Sequence, residues 1–148
     1  MLAIDFSRFP ELRTERLLFR ELEPSDAKSL YAMRSDERVM RHIGRPRATS
    51  LQDAIDLIER IACDRASNNG MTWGMQLAGS NELIGTIGFY RLKPEHFTGE
   101  VGYLLHPDHW GRGLMSEALD LVTNHGFGRI GFHRIEAITA PENQPSRR

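Results

Sequence analysis

The residues best suited to chemistry lie between Glu100 and Val122. Glu100-Val101-Gly102-Tyr103-Leu104-Leu105 reads as a strand. Pro107 ends it, because proline removes a ladder donor and restricts the residue before it. Trp110-Gly111-Arg112-Gly113 follows as a tight turn. From there Leu114, Met115, Ala118, Leu119, Leu121 and Val122 separate at helical spacing from Ser116, Glu117, Asp120, Thr123 and Asn124. The first amides of such a helix have no internal partner and point out of its end. Gly111 and Gly113 remove side chains there, and Arg112 adds a cation, so a phosphate could approach the backbone closely. The turn suits a phosphorylated ligand. The same Gly-x-Gly also serves as a plain strand-to-helix connection, and these three residues alone do not choose.

His96, His106 and His109 crowd this strand and invite a zinc reading. Their spacing does not place three ligands on one face, and Cys63 is remote in sequence, so no metal is expected. The single Cys63 excludes an intrachain disulfide framework, fits a reducing compartment, and reads as a small packing residue on a helix. Trp73 reads as core.

Composition narrows the classes. The 148 residues suit one domain spanning 1–148, which can bury roughly 70% of its extended-chain surface. Lys plus Arg number 19 against 20 Asp plus Glu, a net charge of -1, which gives no reason to expect nucleic acid as a partner. No apolar run could span a bilayer. Asp5, Arg8 and Glu11 interrupt any signal-peptide pattern. A soluble cytoplasmic protein without a membrane partner is expected.

The elements that must position the turn can be read in order. Residues 1–11 form a lead-in with Pro10 as punctuation. Leu12 to Leu22 reads as a first strand at a sheet edge, with Leu12, Leu18 and Leu22 alternating imperfectly with charge. Glu23-Pro24-Ser25-Asp26 starts a helix that runs to Arg34. Asp36 is placed to cap a short segment through Val39 and Met40, broken by Gly44 and Pro46. Ser50 and Asp53 resemble a capping box before a long helix faced by Leu51, Ala54, Ile55, Ile58, Ile61 and Ala62, ending near Asn68-Asn69-Gly70.

Thr72 to Ala78 and Leu83 to Arg91 then read as strands around a turn. Gly85 and Gly88 inside the second predict a bulge or a close approach by another group. Phe97 to Leu105 is the next strand, with Glu100, Gly102 and Leu104 on one face and Val101, Tyr103 and Leu105 on the other. Phe132 to Thr139 is a last strand. Strand, helix, strand in this length implies a parallel pair. A parallel pair at a sheet margin leaves an open edge, to be covered by a partner chain, as in a homodimer through that edge, or by residues absent from this chain.

At this point the residues resemble the GNAT superfamily of acetyl-CoA-dependent N-acetyltransferases, and most nearly the branch that acetylates ribosomal-protein N-termini (alanine or serine). Thr14-Glu15-Arg16-Leu17-Leu18-Phe19-Arg20-Glu21-Leu22 with Asp26-Ala27 looks like that branch's opening strand and helix. Ile84-Gly85-Thr86-Ile87-Gly88 resembles its third strand. Glu100 to Leu105, Trp110 to Met115 and Glu117-Ala118-Leu119 resemble its fourth strand, acetyl-CoA turn and following helix. His133-Arg134-Ile135-Glu136-Ala137 and Pro141-Glu142-Asn143 look like the next strand and its end. Trp110 and Met115 depart from the superfamily's usual Gln or Arg and Gly or Ala.

The resemblance implies an α/β (α+β) fold: a mixed, mostly antiparallel sheet with parallel fourth and fifth strands and flanking helices. It also implies a helix and closing strands past Asn143 and Ser146 that this chain lacks. The implied reaction is direct attack of a primary amine on acetyl-CoA, with no metal. The acceptor would be a protein N-terminus or a small amine. A catalytically inactive acyl-CoA-binding module is the alternative. Glu100 is the candidate base, with His106 as second choice. The amides of Leu104 and Leu105 are candidate oxyanion donors. Trp110, Gly111, Arg112, Gly113, Leu114 and Met115 would bind the pyrophosphate. Asn143 and Ser146 match positions near the cofactor thiol, and Ser146 could protonate the thiolate. Tyr31, Met40 and His42 line an acceptor groove or simply pack.

Overall fold

A computed structural model of the chain describes residues 4–41 and 47–137. The strands are β1 (Leu12–Arg13), β2 (Leu17–Arg20), β3 (Met71–Leu77), β4 (Gly85–Lys93), β5 (Thr98–Leu105) and β6 (Arg134–Ala137). The helices are α1 (Ala27–Arg34), α2 (Glu37–Met40), α3 (Leu51–Ala66) and α4 (Leu114–His125). The strands form one sheet in chain order. Neighbours from β1 to β5 are antiparallel, and β6 lies parallel to β5 with α4 as the connection between them. This is the mixed sheet that the sequence implies.

Both faces of the sheet are covered, which is why Met71 to Gln76 of β3 is buried at every position. On one face Met71, Trp73, Ile87, Phe89, Val101 and Leu105 pack with Leu114, Ala118 and Val122 of α4. On the other, α1 and α3 bring Leu30, Met33, Ala54 and Ile58 together with Leu22 and Leu83. Fully burying a side chain of this kind is worth about 1.5–3 kcal/mol. Trp73 is core, with no exposed surface. Its indole N–H donates to the Pro10 carbonyl at 2.7 Å, which ties the lead-in segment to the sheet.

The start of α1 is fixed by charge. The Arg20 guanidinium of β2 bonds both oxygens of buried Asp26 at 2.9 Å. The same carboxylate accepts from the Glu23 N–H at 2.7 Å. The other expected caps also form. Asp36 accepts from the Arg38 N–H at 2.7 Å. Ser50 Oγ accepts weakly from the Asp53 N–H, at 3.4 Å, while the Asp53 carboxylate reaches back to the N–H of Thr49 at 2.9 Å.

Three expectations need correction. The first strand is two short strands, because Thr14 exchanges bonds with Leu17 and reverses the chain at Thr14-Glu15-Arg16. Leu17 and Phe19 are therefore the buried pair, and Leu18 is half-buried. Cys63 is exposed on α3 rather than packed. Leu51 is exposed too, because α3 buries only Ala54 and Ile58 fully. Of the two alternatives expected at Gly88, the close approach holds: a side chain there would overlap the Met71 carbonyl oxygen. The register shift in β4 falls later, between Tyr90 and Lys93, where Arg91 takes a φ of 48°.

Candidate active site

The turn after β5 is built as a backbone cradle. Gly111 and Gly113 have φ of 77° and 73°, the left-handed region that favours glycine. Gly113 caps α4, and the Glu117 N–H already bonds the Gly113 carbonyl at 3.1 Å. The amides of Leu114, Met115 and Ser116 precede that first bond and point out of the helix. A side chain at Gly111 would meet nothing within 4 Å, so open space lies beside the turn. Arg112 is exposed there. The indole N–H of Trp110 donates to the Leu105 carbonyl at 2.8 Å and locks the turn to the strand end.

That bond also orients β5. The His106 N–H bonds the Ile84 carbonyl at 2.8 Å, so His106 faces β4. Peptide groups alternate along a strand. Leu104 therefore faces β4 as well, and its carbonyl would be struck by a side chain at Gly85. Leu105 faces the other way. Of the two amides expected to donate to an oxyanion, Leu104 is directed into the sheet and only Leu105 points outward. The last described pair between β5 and β6 is Val101 with Ala137.

Glu100 lies one residue before that point, in register with Tyr90 of β4 and Glu136 of β6. Its side chain is 25% exposed and pairs with Arg91 at 3.3 Å. His96 lies before β5, and His106 and His109 after it, so the strand's eight residues separate His96 from the other two, whose rings meet edge-on with centroids 6.2 Å apart. Among the described residues no group of three or more His, Cys, Asp or Glu could hold a metal ion. Met40 is buried in packing and Tyr31 is half-buried against the α1–α3 cluster. His42, Asn143 and Ser146 lie outside the described residues.

His106 and His109 border a cleft of about 290 Å³ whose other polar walls are Lys28, Ser29, Glu82 and Asp108. Burial, then Arg112 and His106, hold the His109 pKa below its usual value. Its Nδ1 is buried with no hydrogen-bond partner among the described residues.

Sequence reasoning missed one group at the turn. The short loop between β1 and β2 reaches the head of α4. Arg16 Nε bonds Glu117 Oε1 at 3.0 Å, and its Nη1 donates to the Arg112 carbonyl at 2.9 Å. The Thr14 hydroxyl donates to the other Glu117 oxygen. That hydroxyl, followed by Arg16, holds the Glu117 carboxyl below the usual carboxylate range. The one signal in the sequence is that Thr14 and Arg16 share a strand parity. Nothing local says that they meet residues about 100 positions away.

A sheet of this order, with a left-handed glycine turn heading the crossover helix, is an arrangement suited to a phosphorylated ligand at a strand end. The family profile described as "Acetyltransferase (GNAT) domain" matches residues 16–148, and the chain belongs to that family of acetyl-CoA-dependent N-acetyltransferases. The chain is 36% identical over 140 residues to the uncharacterized N-acetyltransferase YoaA of Bacillus subtilis, covering 95% of this chain and 79% of that protein. It is similar to the crystal structure of a GNAT-family acetyltransferase from Bacillus anthracis, with a TM-score of 0.79 and 30% identity over 93% of this chain and 78% of that one. The fold also matches RimL, a ribosomal L7/L12 alpha-N-protein acetyltransferase solved with coenzyme A, with a TM-score of 0.82 at 18% identity. That match covers 93% of this chain and 78% of RimL. No helix among the described residues is long and apolar enough to cross a membrane.

Proposed function

We propose that the chain transfers the acetyl group of acetyl-CoA to a primary amine by direct attack in a ternary complex, and that a protein N-terminus is the acceptor. The observation that carries this is the turn: two left-handed glycines, outward amides and a cation, placed at the exit of β5. In this reading Trp110 to Met115 hold the pyrophosphate. The pantetheine arm runs back along the outer side of β5 toward Glu100. From Leu105 to Glu100 that path is about 16 Å at the rise of a strand, a length the extended arm can cover.

Three demands follow from the chemistry. The amine must be neutral to attack, the tetrahedral oxyanion needs a donor, and the leaving thiolate takes up a proton. An α-amine is about one-tenth neutral at pH 7, whereas a lysine amine is neutral below roughly a tenth of a percent. Glu100 would take the proton, directly or through water. The outward amide of Leu105 would face the oxyanion. Asn143 and Ser146 enter by family resemblance alone, near the thiol, with Ser146 as proton donor. The preference for a protein N-terminus rests on the branch resemblance and on the fold match to RimL, which acts on such a substrate by its name.

Gly113→Glu tests the turn. It places bulk, a carboxylate and a strained φ where a phosphate would sit. Titration calorimetry with acetyl-CoA is expected to show binding by the wild type and none by the variant. Retained affinity in Gly113→Glu would remove the turn from the cofactor site.

A further inference from the structure

We propose that Arg16 is a cofactor-binding residue, setting the shape of the glycine turn and supplying its second cation for the phosphates of acetyl-CoA; this rests on the turn being the cofactor site. Arg16 comes from the far edge of the sheet. Its backbone is anchored where the Ala78 N–H bonds the Arg16 carbonyl at 2.8 Å. Two of its three nitrogens are used within the chain, Nε on Glu117 and Nη1 on the Arg112 carbonyl. Nη2 has no hydrogen-bond partner among the described residues. It lies 3.7 Å from where a Cβ on Gly113 would stand. It therefore faces the space that Gly113 keeps clear at the head of α4.

Charge explains why a second cation is needed. Glu117 sits in the first turn of α4, which favours the helix itself but opposes an anionic ligand at the same end. Thr14 and Arg16 occupy its two carboxylate oxygens and keep it ionised. Without Arg16, the charges of the turn and the head of α4 are Arg112 and Glu117, which sum to zero. With it there are two arginines to one carboxylate, and a net positive charge remains beside the outward amides. An ion pair as exposed as this one, 46% and 26% for the two side chains, contributes little to stability. The fork onto the Arg112 carbonyl acts on the turn, because that carbonyl belongs to the residue between the two left-handed glycines.

The test compares wild type, Arg16→Gln, Arg16→Lys and Gly113→Glu. Acetyl-CoA affinity is measured by calorimetry. S-acetylpantetheine, which has the thioester arm and no phosphate, is measured as a competitor. Thermal melts accompany each variant. Arg16→Gln is expected to weaken acetyl-CoA binding about tenfold or more. Arg16→Lys should recover part of the loss, and S-acetylpantetheine should bind all folded Arg16 variants alike. Wild-type acetyl-CoA affinity in Arg16→Gln, with binding abolished in Gly113→Glu, would overturn this inference and leave the turn intact. Equal loss of both thioesters would reduce Arg16 to a structural brace. An unaffected Gly113→Glu would remove the turn assignment and this inference together. If Arg16→Gln fails to fold, Arg16→Lys answers alone: loss confined to acetyl-CoA supports the proposal, and no loss or equal loss overturns it.

Discussion

Glu100 stands beside two neighbours that bear on its role. Arg91 pairs with it on one side, and Glu136 is its register partner on the other. A carboxylate so placed has one charged partner and remains open enough, at 25%, to meet water or an amine. Glu100→Gln keeps the shape and the bond to Arg91 but removes the base. With Glu100 as base, kcat is expected to fall about 10²-fold toward a lysine-like amine. The fall should be smaller toward a peptide α-amine, more of which is already neutral. The KM for acetyl-CoA should not move. Paired assays with a polyamine and a free-N-terminal peptide check this, and an unchanged kcat toward both would exclude Glu100 as base. The glycines of the turn were legible in the sequence because a local backbone demand selects them. Arg16 was not, because its role depends on a partner 96 positions away.

Among elements, legibility follows range in the same way. The caps at Asp36 and Ser50 and the start at Glu23–Asp26 are contacts within four residues, and all three were readable. The splitting of the first strand was not, because leucines on both sides of Thr14-Glu15-Arg16 disguise a reversal. The Cys63 reading failed because helical periodicity does not say which edge of an apolar stripe reaches the sheet. The pair of Arg20 and Asp26 joins β2 to α1 and is nearly buried, at 14% and 7% for the two side chains. Asp26→Ala leaves the guanidinium its bonds to Gln76 and the Glu21 carbonyl but removes its counter-charge, and it frees the Glu23 N–H. A loss of about 3–5 kcal/mol is expected, the scale for breaking a buried pair. Urea unfolding measures it, and a change under about 1 kcal/mol would mean that water replaces the carboxylate.

For the whole molecule, the parallel step was legible because a strand, helix and strand of this length need a crossover, and the antiparallel remainder came with the family resemblance. What covers each face was not, because both faces are apolar. One consequence is acid sensitivity. His125 packs edge-on against Trp73, with ring centroids 5.6 Å apart, and burial, then Arg129, pushes its pKa down. The folded chain therefore prefers neutral His125, while the unfolded chain takes a proton as pH falls through about 6.5. Stability is full above that value and declines below it, toward the lower folded pKa. The melting temperature should drop from pH 7.5 to pH 5.5, and His125→Gln should flatten the drop. An identical slope in the variant would assign the sensitivity elsewhere, with His109, shifted in the same direction, as the next residue to replace.

The clamp of Thr14 and Arg16 on Glu117 spans 101 to 103 positions of sequence. Loop-closure entropy disfavours forming a contact that distant before others. The ladder from β2 through β5 shortens the path between its ends. A peptide cut around the glycine turn would carry the motif but not its brace. If the turn grips the cofactor, that grip depends on a long-range closure across the sheet and not on the motif alone.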